Sequence, residues 1–485
     1  MRVSAHDALK GDGKFAPLFY LTQKIYLRIL PGKKNCDYKK HAMRYASSHH
    51  AKWREYQTKL RRTSKLKRLL TNLPVLLAIS VCAFTILLTI FWAVFWSPER
   101  WNQADRKPPQ PANKLDALPP KLSRDDLPAI LHDVARDTAM FSDVFVCENA
   151  GRHYTVRTTI DTKLQKYILR ILRRSRTLQA AVVVLNPADG SVIAMADHGS
   201  DGNGQNLSLK ADYPAASLFK IVSAAAAIGS SGYTPDTAVY FVGRRHTLYK
   251  SQLKQTKGRW TTETTFRKAF ALSNNSVFGK LGIYVLGQTI LAEYADKFAF
   301  NRPIPFDLPL AVSTTVVPAD DFGLAEIASG FNKKTLISPL HATLLATVAA
   351  NNGSMPVPWL VETVQDEKDQ ILYHADPAVL NRPLTGNAAK YLTVLMQDAA
   401  SYGTSRSAFR KLRRKKIFKT FELGAKTGTI NDQTDSLKYD WITAFALTAD
   451  GNHGIAIGVL GVHGKILGTR STELTRAIID YYFRM

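Results

Sequence analysis

The chain has 485 residues, of which 45% are hydrophobic and 21% charged, and 65 Lys and Arg against 39 Asp and Glu give it a net charge of +26. That ordinary balance fits one large folded domain or two. Three cysteines cannot staple a chain of this size, so its folded part must be held by a packed core.

The positive charge is uneven. Residues 1–72 hold 18 Lys and Arg against 4 Asp and Glu, about half of the whole surplus. Residues 73–96 follow with no charged side chain. As a helix rising about 1.5 Å per residue they span about 36 Å, enough to cross a bilayer with some tilt. Trp92 and Trp96 lie at one end, where interfacial aromatics belong. A cleaved signal peptide would sit nearer the N-terminus and end in small residues. Lys52, Arg54, Lys59, Arg61, Arg62, Lys65, Lys67 and Arg68 precede the span, and the positive-inside rule then puts the N-terminus in the cytoplasm and residues 97–485 outside it. The adjacent span accounts for this basic run, so no nucleic-acid partner is expected. His41, His49 and His50 lack Cys or acidic partners for a metal. Cys36, Cys82 and Cys147 fall in three compartments, which leaves the exported part no intrachain disulfide.

Beyond the span, Lys107-Pro108-Pro109-Gln110-Pro111 and Leu118-Pro119-Pro120 read as a stiff, extended tether, with a short helix at 127–138. His153 to Ile160 alternates like a strand. Asp161 can cap the next helix, Lys163 to Arg174, where Leu164, Tyr167, Ile168 and Leu172 recur at helical spacing. Ala180–Leu185 and Ser191–Ala196 flank Asn186-Pro187-Ala188-Asp189-Gly190 and predict a hairpin. Residues 232–270 are mixed and rich in loops. Residues 322–352 read as helix, loop, helix, ended by Asn351-Asn352-Gly353. Phe421–Thr429, Trp441–Leu447 and Gly454–Leu460 read as antiparallel strands, and 471–483 as a last helix.

Three short patterns lie on this framework. The first is Ser217-Leu218-Phe219-Lys220, after Pro214 and before an Ala- and Ile-rich helix. Residues three apart share a helix face, so the Ser217 hydroxyl and the Lys220 amine come within hydrogen-bond reach. A serine needs a base to become a nucleophile, and a lysine desolvated in an apolar pocket can be that base. Ser-x-x-Lys alone says little: it also occurs at Ser64/Lys67 and Ser251/Lys254, and roughly two chance matches are expected in such a chain. The second pattern, Ser273-Asn274-Asn275, is the one Ser-x-Asn in the chain, and in isolation reads as a helix cap or turn. The third, Lys426-Thr427-Gly428, occurs once, on a predicted strand.

Together, in this order, the three patterns resemble those of penicillin-binding proteins and serine β-lactamases. Thr158-Thr159-Ile160-Asp161 with Leu164-Gln165, the 186–190 hairpin turn, Ser338 to Gly353, and Gly403-Thr404 are also similar to that family. The resemblance covers about 150–485. It implies an α+β fold, a β-lactamase-like transpeptidase domain with a mostly antiparallel sheet flanked by helices, here preceded by one transmembrane helix. The expected organisation is a basic cytoplasmic segment (1–72), a transmembrane helix (73–96), a Pro-rich tether with a short helix (97–149) and a penicillin-binding transpeptidase domain (150–485).

The resemblance also implies roles. Ser217 attacks the penultimate D-Ala carbonyl of a peptidoglycan stem peptide, and Lys220 takes its proton. Ser273, with Lys426, relays a proton to the leaving amine. Asn275 bonds a substrate backbone amide, while Lys426, Thr427 and Thr429 hold the terminal carboxylate. The N–H groups of Ser217 and Thr429 form an oxyanion hole, and Gly428 lets the strand lie close to substrate. A second stem peptide's amine then resolves the acyl-enzyme into a cross-link. β-Lactams are the expected covalent inhibitors, and cell-wall synthesis or division complexes are further partners that the family reading allows. No metal or organic cofactor is implied.

Competing readings differ in identifiable features. Residues 97–149 are too few for a glycosyltransferase domain, which points to a monofunctional enzyme. No Glu-x-x-x-Asn lies between the second and third motifs to supply a β-lactamase's deacylating Glu. A D,D-carboxypeptidase shares all three motifs and differs only in using water as acceptor. An antibiotic sensor would carry His-Glu-x-x-His before the outer domain, and a non-catalytic scaffold would lose a motif residue; neither is seen.

Overall fold

The structure, a computed structural model, describes residues 121–134, 141–200, 206–255, 257–451 and 453–485. The basic segment, the expected span at 73–96 and the Pro-rich tether up to 120 lie outside the described residues. Among those described, no helix is long and apolar enough to cross a membrane.

The chain enters through a turn at Arg124–Asp126 and a short helix α1 (Leu127–Ile130). The described part of the expected 127–138 helix is thus a single turn. It is docked firmly: Leu127, Ile130 and Leu131 are buried, and the Leu122 N–H donates to the Leu372 carbonyl at 2.8 Å. Arg124 Nε lies 3.2 Å from Asp307 Oδ1, while Asp307 Oδ2 accepts from the Leu360 and Val361 N–H groups at 2.6 and 2.8 Å.

Strands β1 (Val144–Asn149) and β2 (Arg152–Thr158) form a hairpin. Helix α2 (Thr162–Arg173) begins as its sequence predicts. Asp161 Oδ1 accepts from the Lys163 and Leu164 N–H groups at 2.9 Å, and Leu164, Ile168 and Leu172 are fully buried. The hairpin β3 (Gln179–Leu185) and β4 (Val192–Gly199) turns at Gly190, whose φ of +84° a side chain would resist. A 3₁₀ turn (Ala216–Phe219) leads into α3 (Lys220–Ser231). In the stretch read as loop-rich, β5 (Ala238–Val242) and β6 (Thr261–Thr265) pair as a hairpin. Then come α4 (Phe266–Ala271), α5 (Asn275–Leu281), α6 (Asp321–Ser329) and α7 (Pro339–Ala350), the last capped by Ser338 Oγ. Strands β7 (Val361–Gln365) and β8 (Ile371–His374) extend the first hairpin into a four-stranded sheet, β1-β2-β7-β8. Helix α8 (Gly386–Ser401) precedes β9 (Glu422–Asn431), β10 (Lys438–Leu447), β11 (Gly454–His463) and α9 (Ser471–Tyr482).

The main sheet runs β9-β10-β11-β3-β4 and is antiparallel throughout. The α+β class and the antiparallel sheet flanked by helices match the expectation. Period-two alternation divides two cores across it. On β3, Ala180, Val182 and Val184 face α2 and α9 with Leu164, Ile168 and Ile478. Ala181, Val183 and Leu185 face the other core with Leu344 and Val348 of α7. Both faces are covered, which is why β3 and β11 read as nearly unbroken apolar runs. Strand β9 is the sheet's edge, paired only with β10, and it carries Lys426-Thr427-Gly428.

Trp441 of β10 ties this sheet to the Ser217 turn. Its ring is fully buried and its indole N–H donates to the Pro214 carbonyl at 3.0 Å. Trp441→Ala is expected to lower the unfolding free energy in denaturant titrations by about 3–5 kcal/mol, the usual cost of emptying a large aromatic site. Trp441→Phe should cost less, and chiefly through the unpartnered carbonyl.

Candidate active site

Ser217 sits on the 3₁₀ turn, three residues before Lys220 opens the α-helix. The helical spacing argued from sequence holds in a tighter form. In a 3₁₀ turn residues three apart eclipse one another, and Lys220 Nζ lies 2.9 Å from Ser217 Oγ. The preceding Ala216 has φ of +50°, a left-handed conformation that a non-glycine adopts at a cost. Two glycines hold it there. A Cβ on Gly330, itself at φ +61°, would come 2.0 Å from the Ala216 carbonyl oxygen; one on Gly428 would come 3.3 Å from the Ser217 nitrogen. The backbone turn that presents Ser217 is therefore clasped between the end of α6 and strand β9.

Lys220 is fully buried. Besides Ser217, its amine donates to Asn275 Oδ1 at 2.8 Å and to the Ser329 carbonyl. No carboxylate pairs with it among the described residues. Burial, and then the charge of Lys426, push its pKa well below the ordinary lysine value of 10.5. A neutral amine has two hydrogens and one lone pair. One that gives its two hydrogens to Asn275 Oδ1 and the Ser329 carbonyl keeps its lone pair for Ser217 Oγ, 2.9 Å away. The arrangement can accept the serine proton without moving a heavy atom.

The second pair lies across from the first. Ser273, at φ +53°, links α4 to α5, and Asn274 caps α5 through the Val277 N–H at 3.2 Å. Lys426 of β9 is also fully buried, and its amine donates to Ser273 Oγ at 3.0 Å and to the Thr427 carbonyl at 2.8 Å. Burial lowers its pKa from 10.5 to about 7. The Ser217 and Ser273 hydroxyls thus each contact their own buried lysine. Thr427 is half-buried, with its hydroxyl 2.6 Å from that of Thr404; Thr429 is exposed.

The structure gives Asn275 partners within the protein rather than leaving its amide free. Oδ1 takes the Lys220 bond, Nδ2 donates to the His246 carbonyl at 3.1 Å, and its backbone N–H donates to the Arg245 carbonyl at 2.7 Å. It holds Lys220 in position. Ser217, Lys220, Ser273, Asn275, Lys426, Thr427 and Gly428 are brought together by these contacts. Sequence reasoning missed Ser329, Gly330, Arg245 and His246. The first two read only as a helix end with a glycine after it, and the loop at 244–247 carries no motif. Among the described residues no group of three His, Cys, Asp or Glu could hold a metal ion.

An antiparallel sheet whose edge strand bears Lys-Thr-Gly beside a Ser-x-x-Lys turn, faced by a Ser-x-Asn loop, is the arrangement of the active-serine, penicillin-recognising class of folds. The family model described as penicillin binding protein transpeptidase domain matches residues 180–480, more than half of the chain, and the chain belongs to that family. The chain is 26% identical over 262 residues to the peptidoglycan D,D-transpeptidase PbpA of Mycolicibacterium smegmatis, covering 52% of this chain and 50% of that protein. It is 24% identical to the peptidoglycan D,D-transpeptidase MrdA of Haemophilus influenzae, over 68% of this chain and 56% of that one. The chain thus spans about half the length of these curated relatives. Among solved structures, penicillin-binding protein A of Mycobacterium tuberculosis in an imipenem acyl-enzyme complex has a TM-score of 0.56 and 22% identity, covering 68% of this chain and 79% of that one. The D,D-transpeptidase domain of a peptidoglycan glycosyltransferase from Eggerthella lenta has a TM-score of 0.55 and 21% identity, over 68% and 82% of the two chains. These structures share the fold.

Two outcomes are expected from the geometry. Gly330→Ala drives a methyl into the Ala216 carbonyl and should lower the second-order rate of penicillin acylation by at least about 100-fold, since displacing a reacting group by about 1 Å costs that much; labelling kinetics read it directly. In the wild type the same rate should fall on the acid side as Lys220 gains its proton. Lys426→Met removes a positive charge that keeps Lys220 deprotonated, so Lys220's pKa rises and the acid limb moves to higher pH in rates measured from about pH 5 to 9.

Proposed function

We propose that this chain is a serine-type peptidoglycan D,D-transpeptidase, anchored in the cytoplasmic membrane by residues 73–96 with its domain on the outer side. The observation that carries the reading is the buried Lys220 amine, held by Asn275 and Ser329 at 2.9 Å from Ser217 Oγ. Ser217 Oγ attacks the carbonyl of the penultimate D-Ala, and its proton passes to Lys220 Nζ. Negative charge develops on the carbonyl oxygen, which the N–H groups of Ser217 and Thr429 receive; losing one such donor costs about 10²–10³ in rate in comparable sites. Collapse breaks the amide bond. The leaving D-Ala amine takes its proton through Ser273, which touches Lys426. The substrate's terminal carboxylate lies against Lys426, Thr427 and Thr429. An amine from a second stem peptide then attacks the acyl-enzyme, releases Ser217 and forms the cross-link.

Several observations support this reading. No carboxylate pairs with the buried Lys426 among the described residues, which suits it to an anionic ligand. Strand β9 is an edge, open to pairing with an extended peptide. The relatives from M. smegmatis and H. influenzae are named peptidoglycan D,D-transpeptidases. The uncharged run at 73–96 and the basic residues before it support the anchor and its orientation.

Incubation with a fluorescent penicillin tests the first half-reaction. Wild type should form a covalent band that Ser217→Ala lacks; an unlabelled, folded wild type would overturn the reading. With a D-Ala-D-Ala donor peptide and an amine acceptor, D-Ala release should be accompanied by the cross-linked product. Hydrolysed donor alone would make the enzyme a D,D-carboxypeptidase.

A further inference from the structure

Beside the Ser-x-Asn loop lies a cavity of about 530 Å³ that the chemistry above does not use. Arg244, Arg245 and His246 line it from the loop after β5, Glu263 from β6, Lys268 from α4 and Asn274 from the motif loop. Three permanent cations there face one carboxylate. Among the described residues, no Asp or Glu lies within ion-pair distance of Arg244, Arg245 or Lys268. Uncompensated cations gathered in one concavity are a site for an anion, and two arginine forks favour a carboxylate, which they can bind by paired hydrogen bonds.

The cavity is joined to the catalytic groups by its own backbone. The carbonyls of Arg245 and His246 hold Asn275, which in turn holds Lys220. Burial and then Arg245 lower the pKa of His246 from its ordinary 6.5, so the cavity's charge rests on the other three cations. The loop from Ser273 to Asn275 contacts Lys426 and Lys220 on one side, is bonded to the 244–246 segment through Asn275, and lends Asn274 to the cavity's lining.

We propose that this cavity is a subsite for a carboxylate carried by the donor peptide upstream of its D-Ala-D-Ala end. The proposal rests on the transpeptidase reading and adds the part of the substrate that the three motifs leave unread.

The test uses competition against fluorescent-penicillin labelling of the full chain, which requires no turnover. The probes are acetyl-Glu-D-Ala-D-Ala and acetyl-Gln-D-Ala-D-Ala, and the same pair with one alanine inserted before D-Ala-D-Ala. In the better of the two registers the Glu peptide should slow labelling at a concentration about tenfold below its Gln counterpart, a gap that shrinks with added salt. Arg244→Gln with Arg245→Gln should bring the ratio to about one. Lys268→Gln, on the other side of the cavity, should lower it on its own and serves if the double variant does not label. Equal competition by Glu and Gln peptides in the wild type, or an unchanged ratio in the variants that label, would overturn the subsite. A wild type that does not label at all would instead overturn the transpeptidase reading.

Discussion

The desolvation of two lysines, neither paired with a carboxylate among the described residues, is the constraint on which the rest of the site depends. In water each amine would hold its proton until pH 10.5. Inside the domain the charged form of each loses its hydration, and the charge of Lys426 adds to the cost at Lys220. Lys220 is pressed furthest, because it feels both burial and Lys426. What would be a structural defect in an ordinary core here leaves an amine with the properties of a base 2.9 Å from a serine hydroxyl. The surroundings are selective: carbonyl and amide oxygens accept the lysine hydrogens, and the rings of Phe278 and Phe270 lie near the two amines at 5.7 Å. An aspartate in place of Asn275 would pair with Lys220 and fix its proton.

Such a site needs rigid support, and the backbone provides it under strain. Ala216 and Ser273 both hold left-handed conformations that side chains disfavour, and both belong to the reacting segments. Each is over-determined by its neighbours. Gly330 and Gly428 leave no slack around the Ser217 turn, and Trp441 pins the strand before it. The Ser273 loop is held from outside by the 244–246 backbone through Asn275. The loop at 244–246 therefore has two consequences for one set of bonds: it steadies Asn275 beside Lys220, and it carries two of the three cations that line the neighbouring cavity.

Much of the framework was legible in the chain because its signals are local. Asp161 caps α2, the apolar rows of α2 and α9 have helical spacing, and the turn at 186–190 has hairpin chemistry. The strands of the main sheet were readable as apolar runs bounded by Gly and Asp, although their spatial order was not, since pairing β11 with β3 joins residues far apart in the chain. The second sheet escaped for the same reason: β7 meets β2 only after some 200 residues, and neither strand announces the other. In the site, Ser217, Lys220, Ser273 and Lys426 were found through short motifs. The exchange of partners at Asn275 was not, because spacing tells which residues converge but not which of two amide ends meets a lysine. Gly330 was hidden for a related reason. After a helix it reads as a routine terminator, and only the fold shows that the carbonyl of Ala216 fills the space where a side chain would be.

The account stands or falls on the protonation state of Lys220. Heteronuclear NMR of the chain labelled with ¹⁵Nζ-lysine, with the Lys220 signal assigned from its loss in Lys220→Arg, measures that state directly. The account predicts an uncharged amine at pH 7, with the neutral-amine shift, titrating far below 10.5. A Lys220 signal that keeps the ammonium shift up to about pH 10, where an ordinary lysine titrates, would contradict it and leave Ser217 without its base.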